Sequence, residues 1–217
     1  MKVTIHQPDL LPYTGFWFKM ATVDRFVLAV HDQFQKHGYQ RRVSMRGSWC
    51  SHRLSGKPAL VPINTVRVVA GWQDRLVDVI RGRYRTAPYW RLRGSTLCDG
   101  ILECPGERLD EVNRGMIELI RGMLAIDTEI VCTSPPTRSG RERLIEQVLA
   151  VGGTEYLSGA GGAAYLGDDA DQRFSEAGIR LAWSAHRALT PDSIVTVLMD
   201  YSDPMDAVLS STKTDDH

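Results

Sequence analysis

Two histidines in this chain each follow a short apolar run. Val3-Thr4-Ile5 leads into His6-Gln7-Pro8, and Phe26-Val27-Leu28-Ala29-Val30 leads into His31-Asp32-Gln33. Read as strands, both runs deliver an imidazole at or just past a C-terminal end, the edge of an open α/β sheet where ligands bind. A general acid or base needs only one such group and a pocket. His6, His31, Asp32 and His37 could instead share a metal or a proton, or hydrogen-bond to one another and shape the sheet edge. They show no spacing known for metal ligands, so no metal is assigned, and the residues specify no cofactor.

Two further groups could hold a ligand. Between Gln33 and Arg42, Lys36, Arg41 and Arg42 alternate with Phe34 and Tyr39, and Gln33 and Gln40 add amides. Cations beside aromatic rings suit a phosphate, a carboxylate or a nucleotide; the competing reading is a solvated basic loop. The second group is Ser158-Gly159-Ala160-Gly161-Gly162. A glycine-rich turn after a strand lets backbone N–H groups approach an anion, and Ser158 would add a hydroxyl. It is neither a Walker A loop nor GxGxxG, and the glycines could serve only a tight turn. A Ser-His-Asp hydrolase has no Gly-x-Ser-x-Gly elbow to support it. His186 follows the last expected strand, and His52 has no evident partner.

These residues need elements to position them. Lys2 to Gln7 reads as a buried strand ended by Pro8, followed by a turn over 9–12, a helix from Thr14 to about Thr22, and a strand over 26–30. Residues 31–46 read as irregular or as a short hairpin. Trp49–Leu54 and Ala59–Val68 read as a strand pair joined by Ser55-Gly56-Lys57-Pro58. Helices are expected from Gly71 to Tyr84, then on to about Cys98, and from Pro105 with Leu109, Val112, Met116, Ile117, Ile120 and Leu124 on its apolar face. Strands at 129–133, 155–158 and 179–183 alternate with helices at 141–151, 169–177 and 191–199. Such alternation implies right-handed crossovers and a parallel sheet. The expected fold is α/β: a Rossmann-like, mostly parallel sheet with flanking helices, a β-hairpin excursion at about 45–68 and a helical stretch at about 71–125.

Composition narrows the function classes. The 217 residues carry 26 basic and 26 acidic side chains, so the formal net charge is zero. That gives no general pull toward nucleic acid or an anionic membrane, and nucleic acid is not an expected partner. No apolar run is long enough to cross a bilayer and no signal peptide is evident, so no membrane partner is expected. Cys50, Cys98, Cys104 and Cys132 form no CxxC pair; a cytoplasmic protein with reduced thiols is the simplest reading. The oligomeric state is not specified.

Several blocks resemble the WbqC-like protein family. Ile5-His6-Gln7-Pro8, Leu11-Pro12-Tyr13 and Gly15-Phe16 are similar to its opening; Gln33-Phe34, Lys36, Tyr39-Gln40 and Arg42 are similar to its second block. Leu60 to Ile63, Trp72, Tyr84 and Ala87-Pro88-Tyr89 are similar to later positions. Tyr156-Leu157-Ser158-Gly159, Gly162 and Tyr165-Leu166 are similar to the block near the C-terminus. The chain departs at Val30-His31-Asp32, where the family usually carries two acids, at Leu76, and around His186 to Ser193. The resemblance implies an α/β fold, expected over residues 1–205, and a place in bacterial natural-product or surface-polysaccharide biosynthesis; residues 206–217 read from their composition as a polar, frayed tail.

The expected function is a biosynthetic transferase moving a group, such as an acyl or aminoacyl group, onto an amine. Its substrate would be a small anionic or nucleotide-linked metabolite. His6 is the candidate catalytic residue, as general base. Gln7, His31, Gln33, Lys36, Tyr39, Gln40, Arg42, Ser158, Gly159 and Gly162 are the candidate substrate-binding residues, with His31 particular to this chain. A non-catalytic ligand-binding accessory protein and a metal-dependent hydrolase or lyase built on His6, His31 and Asp32 are the alternatives.

Overall fold

The computed structural model describes residues 1–210. Its central sheet is five-stranded, in the order β5-β2-β1-β6-β7. These strands are β1 (Lys2–His6), β2 (Arg25–Leu28), β5 (Glu129–Val131), β6 (Glu155–Ser158) and β7 (Arg180–Trp183). Every pair is parallel. The chain builds outward from β1 through β2 to β5, then returns to the other side of β1 and builds outward again. The order therefore reverses between β1 and β6, and the edge beyond their C-terminal ends is the position at which open α/β sheets hold their ligand crevice.

Strand alternation explains why β1 and β2 read as continuous apolar runs. Phe26 and Leu28 face one core layer, while Val27 and Ala29 face the other with Val3 and Ile5. The first layer packs beneath α1 (Thr14–Ala21), α2 (Trp72–Tyr84), α3 (Trp90–Glu103), α4 (Leu109–Met123) and α8 (Ile194–Asp200). The second packs against α5 (Gly140–Ala150), α6 (Ala163–Leu166) and α7 (Ala170–Glu176). All six residues expected on the apolar face of α4 are buried.

The hairpin lies earlier than expected. It pairs β3 (Arg42–Met45) with β4 (Ser48–Ser51), Arg42 opposite Ser51 and Met45 opposite Ser48. Arg46 and Gly47 turn it with φ of 53° and 71°, the left-handed pair that suits the twist of a two-residue hairpin loop. The expected 49–54/59–68 pairing survives only near Leu54 and Val68. A 3-10 turn at Ile63–Thr65 and a positive φ at Leu60 break the second strand. The 61–63 segment instead bonds to the loop after β2, Phe34 N–H to the Val61 carbonyl and Ile63 N–H to that of Asp32. Likewise α4 starts at Leu109 rather than Pro105, because Val68 N–H bonds the Glu107 carbonyl and Leu109 N–H bonds that of Val66, holding 107–109 extended. Residues 206–210, expected in a frayed tail, complete α9 (Pro204–Ser210), which buries Ala207 and Val208 against the first core layer. The rest of that tail, 211–217, lies outside the described residues. No helix among the described residues is long and apolar enough to cross a membrane, and all four cysteines are free thiols.

Candidate functional site

The end of β1 places His6 at the crevice between β1 and β6. Its Nδ1 lies 3.0 Å from the carbonyl oxygen of Gln7. A carbonyl only accepts, so this bond assigns the proton to Nδ1 and leaves a lone pair on Nε2. The same Nδ1 stands 3.5 Å from Asp9 Oδ2, three residues on and past the strand-ending Pro8. Phe16, on α1, meets the imidazole edge-on with ring centroids 4.8 Å apart.

One turn further along α1, Lys19 is nine-tenths buried. Its ammonium makes no hydrogen bond or direct ion pair among the described residues. It faces the glycine-rich turn: a Cβ at Gly159 would sit 3.7 Å from Nζ. Burying a charge without a direct partner is costly, and the consequences run through the cluster. Burial holds Lys19 down at about 8, against the pull of Asp9. It pushes Asp9 up to about 7, against the opposing pull of Lys19. Burial, then the positive charge of Lys19, lowers His6 to about 3, although the Gln7 carbonyl favours its charged form. Near neutral pH the cluster thus holds a neutral imidazole beside a carboxyl and an ammonium that burial moves toward one another in pKa. Perturbed groups of this kind, gathered in a cleft, mark functional sites.

A second network fixes the loops around this cluster. Gln7 Nε2 donates to Asp32 Oδ2 at 3.0 Å. Gln40 Nε2 donates to Gln7 Oε1, and Arg143 from α5 pairs with the other Asp32 oxygen. Gln40 is buried, and its carbonyl and that of Pro8 both accept from Asn113 Nδ2, at 2.7 and 2.8 Å. One side chain on α4 therefore clamps the loop after β1 to the loop after β2. Burial raises Tyr13, with smaller contributions from Asp9 and Tyr39. His186 closes the far side with its ring 5.2 Å from Phe18 and 6.5 Å from Tyr13, and its buried Nε2 has no hydrogen-bond partner among the described residues.

Of the sequence-derived candidates, His6, Gln7, Gln40, Ser158 and Gly159 meet at this crevice. Ser158 is buried and its hydroxyl donates to the Gly159 carbonyl at 3.3 Å. A Cβ at Gly162 would land on Ser158 Oγ, so a side chain there would displace that hydroxyl. The Gly162 N–H bonds the Gly159 carbonyl at 2.8 Å and is not open to a ligand. The others lie elsewhere. His31 Nδ1 is 3.2 Å from Asn64 Nδ2 rather than beside His6. Gln33 is exposed, with its backbone bridged to Pro62. Lys36 is exposed and lines a different cavity. Tyr39 is exposed, 6.3 Å from Trp49, and the Arg42 guanidinium stacks 4.2 Å over the same Trp49 ring. His31 thus stands apart, His6 and Asp32 are linked through Gln7, and no group of three His, Cys, Asp or Glu among the described residues is placed to hold a metal ion.

Sequence reasoning missed Asp9, Lys19, Asn113 and Arg143. Two carried a signal: Asp9 is an acid three residues beyond the histidine, and Lys19 is the one charge in the apolar stretch Thr14–Ala21. Asn113 and Arg143 reach the site only through long-range packing.

The WbqC-like protein family matches residues 7–190. A relative from Mycobacterium tuberculosis (strain ATCC 25618 / H37Rv), named "Uncharacterized protein Rv1507c", is 25% identical over 191 residues, covering 84% of this chain and 81% of its own. No solved structure matches. The matched span runs from Gln7 to Thr190, beginning one residue after His6, and takes in Asp9, Lys19 and the glycine-rich turn; the chain belongs to the WbqC-like protein family.

Proposed function

We propose that the chain is a biosynthetic group-transfer enzyme acting on a small anionic or nucleotide-linked metabolite, with acyl or aminoacyl transfer onto an amine as the reaction type. The observation that carries this reading is the buried His6–Asp9–Lys19 cluster at the crevice where the strand order reverses. The His6 Nε2 lone pair takes the proton of the attacking amine as its nitrogen bonds the acyl carbon, and the imidazolium then returns that proton to the leaving group. Asp9, 3.5 Å behind Nδ1, offsets the positive charge while it exists. Lys19 holds an anionic part of the substrate. Burial is the larger cause of the low His6 pKa and the charge of Lys19 the smaller; an anion paired with Lys19 cancels the smaller one, so substrate binding raises the basicity of the imidazole in part. Biosynthesis of a natural product or surface polysaccharide is the setting that the family suggests.

The test is turnover with a panel of acyl and aminoacyl donors and amine acceptors, products read by mass spectrometry. His6→Ala should lower turnover at least about 100-fold, and Lys19→Met should raise KM for the anionic substrate. Unchanged turnover in His6→Ala overturns the catalytic reading. The low resting pKa of His6, about 3, favours a second reading, a non-catalytic binding protein using the same crevice. Ligand affinity that survives His6→Ala, with no product from any donor, would decide for it.

A further inference from the structure

A cavity of about 360 Å³ lies away from the crevice, between the loop after β2 and the segment following β4. Its lining includes Phe34, Leu54 and Pro58 as apolar surface and Lys36, Arg41 and Lys57 as cations, with no carboxylate. Local bonding explains its shape. Phe34 N–H bonds the Val61 carbonyl, Ser55 N–H bonds that of Arg67, and Gly56 turns the chain at a φ of 76°. The wall of residues 54–59 is thus tied at both ends. Arg41 is anchored by its Nε, which donates to the His52 carbonyl at 3.1 Å. Neither terminal guanidinium nitrogen of Arg41 has a bond among the described residues, and Lys36 and Lys57 form no ion pair there.

We infer that this cavity is a binding site for an organic anion with an apolar body, such as a phosphomonoester or carboxylate on an aryl or short alkyl group. A merely solvated basic loop would spread its like charges apart. Here three cations from two separate segments converge on one concavity, where a bound anion would relieve their mutual repulsion. The buried Phe34 and its apolar neighbours favour a ligand carrying more than the anionic group. The volume suits a small molecule rather than a polymer. None of the lining residues belongs to the His6–Asp9–Lys19 cluster, so the inference stands apart from the catalytic reading.

Calorimetric titration at low ionic strength with phenyl phosphate, inorganic phosphate and neutral phenyl β-glucoside tests it. Phenyl phosphate should bind saturably, at least about tenfold more tightly than either of the others. The Lys36→Ala/Lys57→Ala double variant should weaken it by at least about tenfold; both side chains are exposed, so the fold is kept. His6→Ala should leave the affinity unchanged. The inference is overturned by no saturable binding of phenyl phosphate, by equal binding of inorganic phosphate, by unaltered affinity in the double variant, or by loss of binding in His6→Ala.

Discussion

Replacing Lys19 with methionine should make the folded protein more stable at pH 7 while impairing the site. Lysine at this position falls from an ordinary 10.5 to about 8. At about 1.4 kcal/mol for each pH unit, the wild type carries about 3 kcal/mol of destabilisation at pH 7. Methionine keeps the unbranched stem that packs in α1 and removes the charge. Asp9 then loses the attraction that favours its ionised form, so its carboxyl moves further up and stays neutral at pH 7 instead of becoming an uncompensated buried charge. The pH dependence gives the sharper signature. Between about 8 and 10.5 the unfolded wild type binds a proton at Lys19 that the folded state has released. Wild-type stability therefore rises with pH across that window, and the advantage of the variant closes by about 10.5. The four thiols and Tyr84 and Tyr156, all raised by burial, act in the opposite direction at alkaline pH. They are common to both proteins and cancel in the difference. Urea unfolding of the two proteins at pH 7, 8, 9 and 10 measures this. A variant less stable than wild type at pH 7, or a difference that does not change with pH, would refute the reasoning.

Two further substitutions probe the scaffold of the site. Arg143→Met removes the cation paired with buried Asp32 and should cost about 3 kcal/mol in urea unfolding; a change within about 0.5 kcal/mol would mean that the pair does not brace the loops. The same variant should speed hydrogen exchange at the backbone amide of Gln35, which donates to Gln40 Oε1 at 3.3 Å. Gly153→Ala would place its Cβ 2.6 Å from Val148 Cγ1 and 2.8 Å from Val3 Cγ2, where α5 approaches β1. Overpacking there should cost about 2 kcal/mol and lower the melting temperature, whereas a melting curve unchanged from wild type would contradict the packing of α5 on the sheet.

The parallel sheet was legible because its central strands β1, β2 and β6 are largely buried and stand out as apolar runs, and because turn residues separate the strands from the helices. Placing His6 and Ser158 across the same crevice needed the strand order as well. Alternation implies parallel strands, but not that β6 returns to lie beside β1. The hairpin was misplaced because Arg46-Gly47 is an inconspicuous turn, while Ser55-Gly56-Lys57-Pro58 is a conspicuous one that closes no regular strand pair. Lys19 stayed hidden for a related reason. A lysine in an eight-residue helix reads as its solvent face, yet in α1 the buried residues surround the axis, Thr14 to Trp17 with Lys19 and Met20. The basic block from Gln33 to Arg42 looked like one anion site; its turns divide it. Gln40 points to the crevice network, Lys36 and Arg41 to the outer cavity, and Arg42 to the face of Trp49.

The proposed chemistry turns on the state of His6, which can be measured without knowing the substrate. Long-range ¹⁵N–¹H NMR of the histidine side chains, recorded from pH 4 to 8 and assigned with His6→Ala, reads both tautomer and titration. The prediction is a proton on Nδ1, a lone-pair Nε2 and no titration of His6 down to pH 4, with the pKa of about 3 lying below the range. A His6 that carries its proton on Nε2, or that titrates near the ordinary 6.5, would contradict the buried cluster and with it the proposed chemistry of the crevice.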